Sequence, residues 1–423
     1  MNTRFSRRSL IKSAGAAAVM SALPMRFSWA NNHPTKVGVI LPTSGVLAFP
    51  GQASRRGVEF AGMINKERNG PAMELIYADT ESKAENGRVA AEKLIREGCS
   101  VLIGCWDTGA TISAAQACEA AKVPLVINIA SAPQITEQGF TQIFRNFTPA
   151  TQLVSNAVQR IRELAAKTDD PPKTATVLYV NDTFGQSALK AMQAEWAKQN
   201  LPIEILDTIG YDVRAKDLSV EVAKAKATGA ELLLPITRVN DAIMIVREMV
   251  KQGYNPKAII GPGSPGPYEK AFTDALGKYG DDYMVCVPWL NVKNPRAVEL
   301  AKRFEAMDSK NRFELNVGFS YEAVDIVADA LRRAKSNDAA AIHAALKTTD
   351  IKDHVMWGGP IQFNEKGQNP NIGVALLQNQ NSEPTVVGPA EAAVAEAPSG
   401  EGALFSLFVP SLNRFSCILC TPM

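Results

Sequence analysis

Residues 104–133, GCWDTGATISAAQACEAAKVPLVINIASAP, read as the end of a strand, a polar turn, a helix, a second strand and a second polar turn. The apolar run Ser100–Ile103 stops at Gly104, and Trp106-Asp107-Thr108 follow at its carboxyl end. A helix is expected over about Gly109–Ala121, where Ala114, Ala117, Cys118 and Ala121 make a narrow apolar stripe that fits close to a sheet. Val123–Ile127 supplies the next strand, which ends in the turn Asn128–Ala132. A parallel βαβ unit places both turns on one sheet edge, and open α/β sheets bind ligands at the carboxyl ends of their strands. Two neighbouring turns with Trp, Asp, Thr and Ser are thus a candidate seat for a small molecule. The plainer alternative is a pair of solvated turns.

The same alternation runs outward in both directions. Lys36–Leu41 is a continuous apolar strand, as expected when both sheet faces are covered. Helix Gln52–Glu67, strand Glu74–Ala78 and helix Ala84–Glu97 lead to the quoted unit, and the series pauses at Phe144–Pro149. It then restarts with helix Thr151–Ala166 and strand Ala175–Val180. Helix Gln186–Gln199, strand Ile203–Asp207 and helix Leu218–Ala227 follow, then strand Glu231–Pro235, helix Asp241–Lys251 and strand Ala258–Ile260. This pattern predicts two α/β halves with doubly wound parallel sheets. Past Tyr283–Val287 come three helices, Arg296–Met307, Gly318–Lys335 and Ala339–Leu346, with late strands at Met356–Gln362 and Ile372–Leu377. From about Pro389 the composition shifts and loses any period, so an irregular tail is expected.

A chain of 423 residues exceeds one ordinary core, which favours two domains. Its 46% hydrophobic and 21% charged residues are those of a soluble globular protein. The N-terminus carries Arg7-Arg8, a short apolar run Ser13–Leu23 and small residues in Ser28-Trp29-Ala30. That is a secretory leader of twin-arginine type and too short to span a bilayer; an ordinary secretory leader is the alternative. Removing residues 1–30 takes the formal charge from +2 to about −3, which argues against nucleic acid and anionic membranes. An exported chain can form disulfides. Cys99 and Cys118 lie where a bridge is feasible, with buried free thiols as the alternative, whereas Cys99 and Cys105 are held apart by an extended strand. Cys417 and Cys420 fall in the tail, without a redox or zinc setting.

Catalytic motifs are sparse. The three histidines, His33, His343 and His354, form no ligand spacing for a metal. No Gly-x-Ser-x-Gly elbow occurs. Gly261–Gly266 fits GxGxxG, but such loops hold pyrophosphate through backbone N–H groups, and Pro262 and Pro265 have none. Ser264 in that loop could still face a ligand. Asp182-Thr183-Phe184-Gly185 follows strand Ala175–Val180 as Trp106 follows its own strand. Phe184 there is a candidate lid, or the turn simply N-caps a helix through Asp182 or Thr183. Thr237-Arg238 follows Glu231–Pro235 in the same way, and Arg238 either pairs with a ligand carboxylate or is a solvated charge.

Taken together, the chain resembles the periplasmic solute-binding proteins of ABC transporters in the branched-chain amino-acid (Leu/Ile/Val-binding) family. The resemblance spans about Lys36 to Gly388. It rests on KVGVILPTSG, VLIGCWDTGAT, VPLVINIASAPQITEQG, FRNFTPA, NDTFGQS, YEAVDIVADAL and GPIQFNEKGQ, in that order. It implies a type I periplasmic binding fold, two Rossmann-like lobes joined by a three-stranded hinge near Asn146–Pro149, Val287–Leu290 and Trp357–Pro360. Lobe one would comprise residues 34–147 and 289–357, and lobe two residues 148–288 and 358–390, with the tail at 391–423. The implied ligand residues are Ser44, Phe49, Trp106, Asp107, Thr108, Ala130 and Ser131 from lobe one. Lobe two would supply Phe184, Thr237, Arg238 and Ser264.

The implied function is capture of an amino acid, amide or small organic acid and delivery to an inner-membrane permease, by a periplasmic monomer without cofactor, metal or catalysis. A ligand-sensing subunit for a membrane receptor is the alternative. Two departures stand out. The Gly261–Gly266 loop lacks the acid that takes a ligand ammonium in amino-acid binders, and Asp107 stands where relatives carry Ser. Gly104-Cys105-Trp106 also resembles the amide- and urea-binding branch, which continues with Ser or Thr.

Overall fold

The computed structural model describes residues 33–395. The expected leader, Cys417, Cys420 and all but the first five residues of the expected tail lie outside them.

Two sheets organise the described chain. The first holds five strands in the order β2-β1-β3-β4-β5: β1 (Thr35–Leu41), β2 (Met73–Asp79), β3 (Val101–Gly104), β4 (Leu125–Ile127) and β5 (Ile143–Arg145). All pair in parallel. Helices α1 (Ala48–Glu67), α2 (Asn86–Arg96) and α3 (Thr108–Ala121) connect them, with a one-turn α4 (Gln134–Glu137) before β5. α1 begins four residues earlier than expected because Pro50 falls in its first turn, where its missing N–H costs nothing.

The second sheet has seven strands in the order β12-β11-β10-β9-β8-β6-β7. Its parallel part is β6 (Thr174–Val180), β7 (Glu204–Tyr211), β8 (Leu232–Ile236), β9 (Ala258–Pro262) and β10 (Met284–Val287). β11 (Ala375–Gln380) and β12 (Glu383–Gly388) add an antiparallel edge. The intervening helices are α5 (Ala150–Ala165), α6 (Thr183–Gln199), α7 (Ser219–Ala227), α8 (Val239–Gln252) and α9 (Lys270–Leu276). The doubly wound α/β expectation thus holds for both halves.

The helices after β10 return to the first sheet. α10 (Pro295–Met307), α11 (Leu315–Ala334) and α12 (Ala339–Leu346) pack there through an aromatic cluster. Phe60 of α1 meets Phe304 and Phe313 edge-on, with ring centroids 5.4 and 6.2 Å apart, and Tyr321 closes the group. The expected strand Met356–Gln362 is not formed. Gly358-Gly359-Pro360 interrupts it, and only isolated bridges such as Leu290 to Met356 and Gly358 to Ile372 remain. Residues 367–369, assigned from sequence to the second lobe, instead hydrogen-bond to Arg145 at the end of β5. Cys99 and Cys118 are buried free thiols in one apolar cluster, so the bridge alternative fails.

The three crossings between the sheets meet around Glu322 of α11, which is 1% exposed. One carboxylate oxygen accepts from Asn146 Nδ2 of the first crossing at 2.7 Å. The other accepts from the Val355 and Met356 N–H groups of the third crossing at 3.0 and 2.8 Å. His354 Nδ1 lies 2.9 Å from that second oxygen, and its Nε2 lies 2.8 Å from the Gly359 carbonyl. The second crossing is tied in by Trp357 N–H to the Trp289 carbonyl at 2.7 Å. A buried polar network in which each group finds a partner specifies one arrangement.

Candidate ligand site

The carboxyl ends of the strands from both sheets converge on one narrow cleft, the place where open α/β sheets hold ligands. From the first sheet, β3 delivers Trp106-Asp107-Thr108 at the start of α3. Asp107 N-caps α3, its Oδ2 accepting the Ala110 N–H at 2.9 Å. Burial pushes the Asp107 carboxyl above its usual range, against the pull of the Ala110 N–H and Arg238. Trp106 adopts φ 69°, which turns its indole into the cleft wall, and its Nε1–H donates to Asn316 Oδ1 at 2.7 Å.

The neighbouring turn, Ala130-Ser131, rests on Arg145. This fully buried guanidinium donates to the Ala130 and Ala132 carbonyls at 3.3 and 2.7 Å, to Thr136 Oγ1 at 2.9 Å and to Gln368 Oε1 at 2.6 Å. Ser131 Oγ is buried in the cleft wall and has no hydrogen-bond partner.

The second sheet contributes Phe184 from the start of α6 and Arg238 from the end of β8. Asp182 caps α6 by accepting the Gly185 N–H at 2.9 Å, so the helix starts three residues before the sequence estimate. Its other oxygen, Oδ2, takes Arg238 Nη2 at 2.7 Å. The guanidinium lies over the Phe184 ring at 4.9 Å and near Trp106 at 5.8 Å. Burial would lower the Arg238 pKa, but Asp182, Asp241 and Asp107 outweigh it and hold it above the ordinary value. Nε and Nη1 of Arg238 are buried with no partner.

Seven of the expected ligand residues, Trp106, Asp107, Thr108, Ala130, Ser131, Phe184 and Arg238, therefore line one cleft. The other four do not. Ser44 is exposed in the turn after β1, its carbonyl accepting from Ser82 Oγ at 2.6 Å. Phe49 packs against the second lobe's apolar cluster and lines a separate crevice with Arg56, Glu269 and Glu314. Ser264 turns inward, its hydroxyl donating to the Pro235 carbonyl at 2.5 Å and accepting the Thr237 N–H at 3.2 Å. That exchange also fixes Thr237 below the surface.

Sequence reasoning missed Leu315 and Asn316, which open α11 and close one end of the cleft. The signal was present. Glu314 N-caps α11 by accepting the Asn316 N–H at 2.8 Å, and an acidic cap just before an apolar run marks a helix start. Val287, Pro288 and Phe147, in or beside the crossings, complete the apolar wall. Among the described residues no cluster of three or more His, Cys, Asp or Glu is placed to hold a metal ion. The arrangement encloses a small solute: apolar walls give affinity, and a few polar groups fix orientation.

Comparison with known proteins agrees with this architecture. A family profile described as "Periplasmic binding protein" matches residues 34–383. The Leu/Ile/Val-binding protein homolog 7 of Brucella abortus is 27% identical over 374 residues, covering 85% of this chain and 93% of that protein. Among solved structures, a solute-binding protein of an ABC transporter from R. palustris, in complex with benzoate, superposes with a TM-score of 0.74. It shares 18% identity, with 88% of this chain and 99% of that one covered. A leucine-binding protein from Thermotoga maritima gives a TM-score of 0.71 at 19% identity, over 84% of this chain and 98% of that one. With the matched profile, the paired sheets and the cleft between them, the chain belongs to the branched-chain amino-acid (Leu/Ile/Val-binding) family of type I periplasmic binding proteins, the solute-binding proteins of ABC-type transport.

Proposed function

We propose that the protein is the extracytoplasmic substrate-binding component of an ABC importer, exported by the twin-arginine route and acting as a monomer. It captures a small polar or amphipathic solute between two lobes, one built on each sheet. It then presents the closed form to the inner-membrane permease and performs no covalent chemistry. The observation that carries this reading is the cleft itself. Apolar side chains from both lobes and from the first two crossings surround a handful of convergent polar groups, one of which, Arg238, has buried donors awaiting acceptors. Hinge closure around a bound solute is the motion such a cleft performs. The names of two neighbours of this fold mention leucine and benzoate, small solutes with an apolar body that suits the largely apolar lining of the cleft.

The test is a thermal-shift screen of ligand-free protein against amino acids, amides, urea, short-chain acids and aromatic acids. A ligand at about a hundred times its Kd stabilises by roughly 2.7 kcal/mol, which raises Tm by several degrees. A shift confined to one class supports the reading, and no shift with any class refutes it.

A further inference from the structure

Beyond Asn316, which lines the cleft, Glu314 lines a separate crevice between α1, α9 and the loop from α10 to α11. The two halves of the chain touch there through polar groups. Glu269 precedes α9, whose Phe272 belongs to the apolar cluster of the second sheet. Glu314 opens α11, which packs on α1 beside the first sheet. Arg312 crosses the same seam, donating to the Tyr268 carbonyl at 3.1 Å and to Glu383 Oε2 at 2.6 Å.

A single amide joins this seam to the cleft. Asn316 Nδ2 donates to Glu314 Oε2 at 3.0 Å and to Glu269 Oε1 at 3.4 Å, while its Oδ1 accepts the Trp106 Nε1–H at 2.7 Å. Glu269 Oε2 is buried without a partner, as is the hydroxyl of the adjoining Tyr268. The neighbouring cations are engaged elsewhere. Arg56 of α1 turns to Asp308 at 3.7 Å, Lys270 to Asp274 at 2.7 Å and Arg312 to Glu383. Lys310 lines the crevice but is exposed, and Asp241 of α8 adds negative charge on the side of Glu269. Two carboxylates this close, with little water around them, repel strongly, and a shared proton removes the repulsion. Separating the lobes would return both groups to water.

We propose that the Glu269–Asn316–Glu314 contact is a proton-dependent clasp between the lobes, so that closure on a solute takes up a proton and rising pH favours opening and release. This rests on the hinged solute-binding reading above and adds the condition under which the lobes part. The proton is held more tightly with the lobes together. Closure is therefore fully supported below the ordinary carboxyl range, and that support is withdrawn as pH rises through the higher value of the joined pair. On opening, the amide that holds Trp106 loses its contact with the second lobe.

The test is calorimetric titration of ligand-free protein at pH 6 with L-leucine and with benzoate, in buffers of differing ionisation heat. Binding of either probe should take up about one proton, and its Kd should rise by up to about tenfold per unit between pH 6 and pH 7. In Glu269→Gln/Glu314→Gln, whose amides do not titrate, uptake should vanish and Kd should stay flat. If that variant does not fold, Glu269→Gln alone should reduce the uptake. Asp107 is a buried carboxyl in the cleft itself, so uptake that persists undiminished in the variants belongs there and overturns the clasp. Binding without uptake in wild type also overturns it and leaves solute capture standing. If neither probe binds, small-angle scattering of ligand-free protein decides. Wild type more compact at pH 5 than at pH 8.5, with the variant unchanged, upholds the clasp; equal radii in wild type overturn it.

Discussion

Two buried carboxyl groups, Glu269 and Glu314, face each other across a single amide, and their titration yields a sharp prediction for Glu269→Gln. Glu269 N-caps α9 on the second lobe, and Glu314 N-caps α11 on the first. They are 2% and 5% exposed. Asn316 Nδ2 donates to Glu314 at 3.0 Å and to Glu269 at 3.4 Å, while Glu269 Oε2 has no partner. Burial, then repulsion from Glu314, pushes Glu269 well above its ordinary value. Burial raises Glu314 to about 7 despite the Asn316 N–H it accepts. Arg56 opposes the shift at both groups, and Asp241 adds to it at Glu269. The pair therefore keeps a proton in the folded protein that ordinary glutamates release near pH 4.5.

A carboxyl with a folded value above its unfolded one stabilises fully below the unfolded value and loses that stability as pH rises through the folded one. Moving one group from 4.5 to about 7 corresponds to about 3 kcal/mol lost across that window. For a chain of this size that is roughly 4 °C in Tm. In Glu269→Gln the raised Glu269 carboxyl is gone and the new amide can donate to Glu314, while burial still raises Glu314, so the loss should shrink without vanishing. Scanning calorimetry from pH 5 to pH 8.5 should show wild type losing more Tm than the variant. Parallel Tm curves for the two proteins would refute the shared-proton account. Because the two groups sit on different lobes, ligand affinity should weaken over the same window in wild type and not in the variant.

Three further outcomes follow from the same geometry. Arg145→Met strands the Ala130 and Ala132 carbonyls, Thr136 and Gln368, and should cost about 3–5 kcal/mol in chemical denaturation. Phe184→Ala removes the ring under the Arg238 guanidinium; a loss of about 0.5–2 kcal/mol should lower the ligand-free Tm by about 1–3 °C, and loss of this cleft wall should weaken solute binding in calorimetry. For His354, burial lowers the pKa, but Glu322 and the Gly359 carbonyl outweigh it and hold the ring above 6.5. The stability it contributes is thus complete below pH 6.5 and declines as pH rises past it, and His354→Gln should flatten that decline in Tm measured against pH.

Much of this was legible in sequence because strand and helix periods are local. Ala339–Leu346 was placed to the residue, and the doubly wound halves followed from alternation alone. The seat at Trp106–Thr108 and Ala130–Ser131 followed from the rule that strand ends face one edge. What escaped was set by distant contacts. β12 contains Pro384, which argues against a strand unless it lies at an edge, as it does here. Ser264 sat in the expected loop, but its hydroxyl folds back to Pro235 because that carbonyl lies within reach. Nothing local could join Glu269 to Glu314, or Trp106 to Asn316, which are 210 positions apart.

The return of α10 to α12 onto the first sheet has a consequence for synthesis. α1 leaves the ribosome early, yet Phe60 finds Phe304, Phe313 and Tyr321 only after the whole parallel part of the second sheet has emerged. At 5–20 residues per second, the interval between the end of β5 and the end of α12 is roughly 10–40 s. During that time the face of α1 that carries Phe60 stays uncovered. A nascent chain truncated near residue 290 should bind holdase chaperones through that face, and a polypeptide cut between the lobes should yield two insoluble pieces. The three crossings that join the two sheets are thus also what forbids making the halves one at a time.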